Sequence, residues 1–221
     1  MFKFDADSTA LLVIDMQHAF LDPSSPYCVT NSREFMNKVS EVITFFHANK
    51  MPVIFTKVVL NDQLDGGPFS SNWLSHGFDE VGILKRGTPN VEIHSMVRPA
   101  ESDIVIEKSR YSAFFGTRLD NILRLRNIKT VVIVGADTKF CVLSASRDAQ
   151  FRDYQVVVLS DRIATTPIPD VGFGEVSVKE VEKVILSTIA VGDGEVMTFD
   201  NFKRRLEVSR NKERTLEAIS H

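Results

Sequence analysis

The chain has 221 residues, 43% apolar and 25% charged. That is the ordinary mix of a soluble globular protein, and it excludes disordered, collagen-like and coiled-coil architectures. Its 26 basic and 29 acidic side chains give a formal net charge of −3 with no long Lys/Arg run, so nucleic-acid wrapping and membrane coating are excluded and a small-molecule partner is expected.

Thr9 to Ile14 (TALLVI) is a continuous apolar run ending at Asp15, the pattern of a strand buried on both faces of a parallel sheet. From Ser32 to Asn49 the apolar residues Phe35, Met36, Val39, Val42, Ile43 and Phe46 fall at three- and four-residue steps behind an Asn31-Ser32 cap candidate, which predicts an amphipathic helix. Pro52 to Leu60 (PVIFTKVVL) is β-branched and reads as the second strand, with Pro at its tolerated first position. Asn61 to Ser102 has no sustained periodicity and holds five of the eleven glycines and the only tryptophan, Trp73. A loop of that length is usually functional or carries short elements of its own.

Asp103 to Glu107 (DIVIE) predicts a third strand, and Thr117 to Asn127 a helix capped by Thr117 with Leu119, Ile122, Leu123 and Leu125 along it. Thr130 to Val134 predicts the fourth strand, Cys141 to Asp153 a helix, Gln155 to Leu159 the fifth strand, Glu175 to Val191 a helix, and Glu195 to Phe199 a weaker sixth strand. Lys203 to His221 is charged and reads as a short helix plus a frayed or partner-docked tail. The alternation predicts a single three-layer α/β/α domain with a mostly parallel six-stranded sheet. Two cysteines, Cys28 and Cys141, are too few for a disulfide framework, and no apolar run is long enough for a signal-peptide core or a membrane span, so a cytoplasmic location is expected.

Ligand crevices of open parallel sheets lie beyond the carboxyl ends of the strands. Asp15 follows the first strand, Lys108 the third, and Cys141 stands where the loop after the fourth strand turns into a helix. A thiol at a helix N-terminus beside an ammonium is expected to have a lowered pKa, and with a carboxylate to move protons the set suits acyl transfer. From spacing alone a second reading stands beside it: Cys141 as a small core residue, Asp15 as a cap and Lys108 as a solvated strand end.

Four blocks resemble the isochorismatase-like cysteine hydrolase family over roughly residues 9 to 200: ALLVIDMQHAF from Ala10, KSRYSAFFGTRL from Lys108, GADTKFCV from Gly135 and QVVVLSDRIATT from Gln155. The resemblance implies the isochorismatase-like α/β/α fold and a triad of Asp15 as proton shuttle, Lys108 as electrostatic support and Cys141 as nucleophile. It also implies a cis peptide between Ala136 and Asp137, and an oxyanion hole from the backbone N–H groups of Asp137 and Cys141. Asp137 stands where a small or apolar residue is more usual and Lys139 where Asp is common, so the charge of this loop departs from the family pattern.

Nicotinamidase relatives hold a metal through an Asp-x-His and a second His after the second strand; here that segment offers Asp62, Asp65 and a single His76, so no metal is expected. The turn after the first strand has no glycine, which excludes NAD and ATP, and no cofactor is expected. Gln17, Phe20, Trp73, Arg110 and Tyr111 are candidate substrate contacts, Arg110 for a carboxylate, with core packing or a structural ion pair as the competing readings. The resulting expectation is a metal-independent cysteine amidohydrolase acting on a small amide, ureido or carbamoyl compound, assembled as a homo-oligomer. The alternatives are a catalytically silent binding protein on the same scaffold, or a nicotinamidase.

Overall fold

The computed structural model describes residues 4–61, 65, 67, 68 and 80–219. Six strands, β1 (Thr9–Ile14), β2 (Val53–Val58), β3 (Ile104–Lys108), β4 (Thr130–Ala136), β5 (Gln155–Ala164) and β6 (Glu195–Met197), form one sheet in the order β3-β2-β1-β4-β5-β6. All five pairings are parallel.

All six residues of β1 and all seven of β4 are buried, as central strands covered on both faces require. Successive side chains alternate between two cores. Leu11, Val13, Val132, Val134, Val157 and Leu159 pack with Phe35, Val39, Ile43 and Phe46 of α2 (Ser32–Ala48) and Phe202 and Leu206 of a long C-terminal helix. Leu12, Ile14, Val131, Ile133, Val156 and Val158 pack on the opposite face with Leu119 and Leu123 of α4 (Leu119–Leu125) and Ala145 and Ala149 of α5 (Leu143–Gln150). The expected three layers are therefore present.

Several boundaries differ from expectation for physical reasons. β5 runs on to Ala164 although Ser160, Asp161 and Arg162 interrupt its apolar run. The polar pair is held at the sheet end: Arg162 pairs with Asp161 at 2.9 Å and Glu41 at 3.1 Å, and the Phe199 N–H donates to Asp161 at 2.9 Å. The helix expected from Glu175 is α6 (Val178–Thr188), started by a capping box between Ser177 and Glu180. Asn31 does not cap α2 through its side chain; it takes a left-handed φ of 55°. Thr117 lies before α4, accepting the Leu119 N–H at 3.2 Å. The C-terminal segment is one helix, α7 (Phe199–Ile219), rather than a short helix and tail. Between β2 and β3 lie a short helix, α3 (Glu80–Ile83), and 3-10 turns at Pro89–Val91 and Ser95–Val97, and a short α1 (His18–Leu21) follows β1.

Candidate active site

The strand order reverses direction between β1 and β4, which opens a crevice at their carboxyl ends. Gly135 is what lets these two strands meet there. Its φ of +117° suits no L side chain, and a Cβ would collide with the Ile14 carbonyl oxygen and lie 2.7 Å from its nitrogen. The next peptide, Ala136–Asp137, is cis, as the family resemblance implied.

Asp15 leaves β1 with a left-handed φ of 48° and no solvent exposure. Its N–H donates to the Thr56 carbonyl at 3.2 Å, and the Thr56 hydroxyl donates to Oδ1 at 2.6 Å. Oδ2 lies 2.7 Å from Lys108 Nζ; among the described residues it has no aligned hydrogen-bond donor and so remains an acceptor. The Lys108 ammonium, closing β3, also donates to the Arg110 and Tyr111 carbonyls at 3.0 and 3.1 Å and approaches Cys141 Sγ at 3.4 Å. Carboxylate, ammonium and thiol thus meet in one buried cluster.

Cys141 lies within a π-helical turn, Thr138–Val142, one turn ahead of α5. The sequence expectation of a lowered thiol pKa is not met. Burial is the largest influence and pushes the thiol well above its ordinary value; Lys108 pulls it down, while the Asp15 charge pushes it up. Burial works to lower the Lys108 ammonium, but Asp15 and then Cys141 outweigh it and leave it raised. The raised thiol holds its proton beside the Asp15–Lys108 ion pair.

The departures in the loop between β4 and Cys141 compensate each other. Lys139 Nζ lies 2.6 Å from Asp137 Oδ2, with both side chains nearly buried at 7% and 13% exposure. The ammonium also donates to the Thr165 and Thr166 hydroxyls at 3.1 and 2.7 Å, and Asp137 Oδ1 accepts from Lys139 N at 3.0 Å and Thr165 Oγ1 at 2.6 Å. This network ties the loop to the end of β5 without adding net charge.

The candidate substrate contacts separate. The Gln17 amide is buried and engaged with backbone, donating to Val58 O and Val91 O at 2.9 and 3.0 Å and accepting from Val58 N at 2.7 Å. It therefore braces β2 rather than facing a ligand. Phe20 packs on a satellite core with Val58, Leu60, Leu84 and Val91. Arg110 donates to the Asp65 carbonyl and, at 2.7 Å, to the Ser109 carbonyl, so its guanidinium holds the start of the long connection. Tyr111 stacks on Phe140, the neighbour of Cys141, with centroids 4.9 Å apart and planes at 16°. Trp73, Asp62 and His76 lie outside the described residues; Asp65 accepts from Asn61 N at 2.6 Å.

Thr56, Phe140 and the Thr165–Thr166 pair were not anticipated. The signal for Thr56 was present: a hydroxyl in an apolar strand destined for burial has to find a partner. No helix among the described residues is long and apolar enough to cross a membrane.

A sequence model described as the isochorismatase domain matches residues 9–173. The chain is 32% identical over 173 residues to the ureidoacrylate amidohydrolase RutB of Caulobacter segnis, covering 71% of this chain and 72% of that protein. It is 34% identical over 172 residues to the RutB of Acinetobacter baylyi, covering 70% of each. Among solved structures, a cysteine hydrolase from Pseudomonas syringae pv. phaseolicola superposes with a TM-score of 0.88 at 32% identity, over 95% of this chain and 97% of that one. An N-carbamoylsarcosine amidase from Thermoplasma acidophilum gives 0.67 at 26% identity, over 86% and 96%.

Proposed function

The chain belongs to the isochorismatase family, and from that membership we propose that it is a cysteine amidohydrolase, cleaving a small ureido, carbamoyl or amide compound through a thioester on Cys141. The observation that carries this reading is the buried contact of Asp15, Lys108 and Cys141, with 2.7 Å between carboxylate and ammonium and 3.4 Å between ammonium and sulfur.

Asp15 Oδ2 takes the thiol proton as sulfur attacks the carbonyl carbon, and Lys108 keeps the carboxylate oriented and the local charge balanced. The oxyanion is received by the N–H groups of Asp137 and Cys141. Asp15 returns the proton to the leaving nitrogen as the C–N bond breaks, which leaves the acyl group on sulfur: a thioester from an amide, a thiocarbamate from a ureido or carbamoyl group. A water molecule, giving a proton to Asp15, attacks the carbonyl carbon of that intermediate; the C–S bond breaks, the carboxylic or carbamic acid departs and the thiol is reprotonated. A neutral resting thiol suits this sequence, because the proton leaves sulfur only during attack and is carried to the amine.

The names of the relatives, ureidoacrylate amidohydrolase and N-carbamoylsarcosine amidase, favour a ureido or carbamoyl group as the scissile unit. The Tyr111–Phe140 pair, with Phe140 preceding Cys141 in the chain, supplies aromatic surface for a planar group of that kind. The silent-binder alternative was motivated by the charge of Asp137 and Lys139, and their mutual 2.6 Å ion pair removes that motive. The nicotinamidase alternative lacks its Asp-x-His pattern after β2.

The test is ammonia release over a panel of ureido acids, carbamoyl amines, simple amides and nicotinamide, with and without chelator. Release from one class that survives chelator and disappears in Cys141→Ala, with the fold retained by circular dichroism, is expected. Activity retained in Cys141→Ala overturns the nucleophile assignment.

A further inference from the structure

We propose that His18, Asp22 and His94 form a binding site for a divalent transition-metal ion of the zinc, cobalt and nickel class, separate from the catalytic triad. The backbone brings them together. Gln17 and Ile93 form an antiparallel bridge, the His18 N–H donates to Glu92 O at 3.0 Å, and the His94 N–H donates to Met16 O at 2.9 Å. The single turn of α1 then sets His18 and Asp22 four residues apart on one side, a spacing that lets two side chains share one ion.

The side chains already converge. His18 Nδ1 is 2.9 Å from Asp22 Oδ2, His94 Nε2 is 3.5 Å from Asp22 Oδ1, and the candidate donor atoms of all three lie within 4.8 Å of one another. Tetrahedral zinc with ligand bonds of about 2.0–2.2 Å holds its ligand atoms roughly 3.3–3.6 Å apart, so the cluster reaches that spacing by side-chain adjustment. Side-chain exposures of 30%, 37% and 15% leave one side open to solvent, from which water completes the coordination. Two imidazoles and one carboxylate suit zinc, cobalt or nickel, whereas magnesium and calcium prefer all-oxygen sets.

Loading requires two tautomer changes. His18 moves its proton to Nε2 so that Nδ1 faces the ion. His94 moves its proton to Nδ1 so that Nε2 does, giving up the exposed 3.2 Å bond it accepts from Met96 N. A chelate by three side chains replaces the 2.9 Å His18–Asp22 bond, the 3.5 Å His94–Asp22 contact and the exposed bond from Met96 N. The bound ion would clamp the segment that starts at Asp15 onto residues 92–97, and its primary effect is on the stability of that junction.

Calorimetric titration of the chelator-stripped full chain with zinc, and visible absorption with cobalt, tests the site without reference to turnover. One ion per chain at roughly micromolar affinity is expected, with a melting temperature that rises with free zinc. His94→Asn and Asp22→Asn each weaken binding by at least the ~10–100-fold produced by loss of an outer-shell partner, while Cys141→Ala leaves it unchanged. His94→Asn retains a side-chain acceptor for the Met96 N–H, so loss of binding there is not loss of fold. Three outcomes overturn the proposal: no binding tighter than millimolar, binding that survives both ligand variants, or a cobalt–thiolate spectrum that vanishes in Cys141→Ala.

Discussion

Replacing Lys139 by methionine keeps the length of the stem and deletes only the ammonium, leaving Asp137 charged and nearly buried. Breaking a buried ion pair by removing one partner costs about 3–5 kcal/mol. Here Asp137 keeps two good donors, the Lys139 N–H at 3.0 Å and the Thr165 hydroxyl at 2.6 Å, and 13% of its side chain still meets water. Those compensations bring the expected loss to about 2–3 kcal/mol, or a melting temperature lower by roughly 4–12 °C in a chain of this size. The double variant Asp137→Asn/Lys139→Met removes both charges and is expected to recover most of the loss, because no buried charge is left unpaired. Urea unfolding of wild type, both single variants and the double variant gives the coupling energy directly. A loss under ~0.5 kcal/mol for Lys139→Met, the range of an ordinary surface substitution, refutes the compensation argument. So does a double variant that equals the sum of its singles.

Thr56→Val removes the hydroxyl that holds Asp15 Oδ1 at 2.6 Å. A charge-assisted hydrogen bond of about 1.5–3 kcal/mol corresponds to a roughly 10–150-fold fall in kcat, and Thr56→Ser should restore most of it; an unchanged kcat in Thr56→Val sinks the positioning role. Alkaline stability follows from the raised thiol and ammonium. The native state then binds more protons than the unfolded chain above the ordinary thiol value of about 8.5. Unfolding free energy should therefore fall as pH rises beyond that point, and urea midpoints between pH 7.5 and 10.5 should fall less steeply in Cys141→Ala; equal slopes contradict it. Gly135→Ala combines a backbone collision with Ile14 and a left-handed φ, so a loss of about 3 kcal/mol or more is expected by urea unfolding. A loss under ~1 kcal/mol means that β1 and β4 can separate there at little cost.

Much of the scaffold was legible because buried parallel strands announce themselves as short β-branched runs, as at Thr9–Ile14 and Thr130–Val134, and amphipathic helices as a stripe, as in α2. Legibility failed where a tertiary partner decides. The extension of β5 through Asp161 and Arg162 depends on Glu41 and the Phe199 N–H, which no local pattern reveals. The start of the helix expected from Cys141 was misplaced because a π-helical turn obeys neither the strand nor the α-helix period. In the site, residue types at strand ends pointed to Asp15, Lys108 and Cys141. The direction of the thiol shift was not legible, since helix terminus and neighbouring ammonium suggest one sign and complete burial imposes the other. Gln17 was a polar residue near the triad in sequence whose hydrogen-bonding capacity the backbone had already claimed, and Arg110 commits one guanidinium nitrogen to backbone carbonyls.

Within the connection between β2 and β3, the chain at Leu60 and at Lys85 is stapled side by side. Leu60 and Lys85 form a parallel bridge, with Leu60 N donating to Leu84 O and Arg86 N to Leu60 O, both at 2.8 Å. A segment with anchored ends is an exchangeable cassette: doubling the length between fixed anchors adds only about 0.6 kcal/mol of closure entropy. Its sequence can therefore drift, lengthen or be grafted from a relative without disturbing the strand ends that carry the triad.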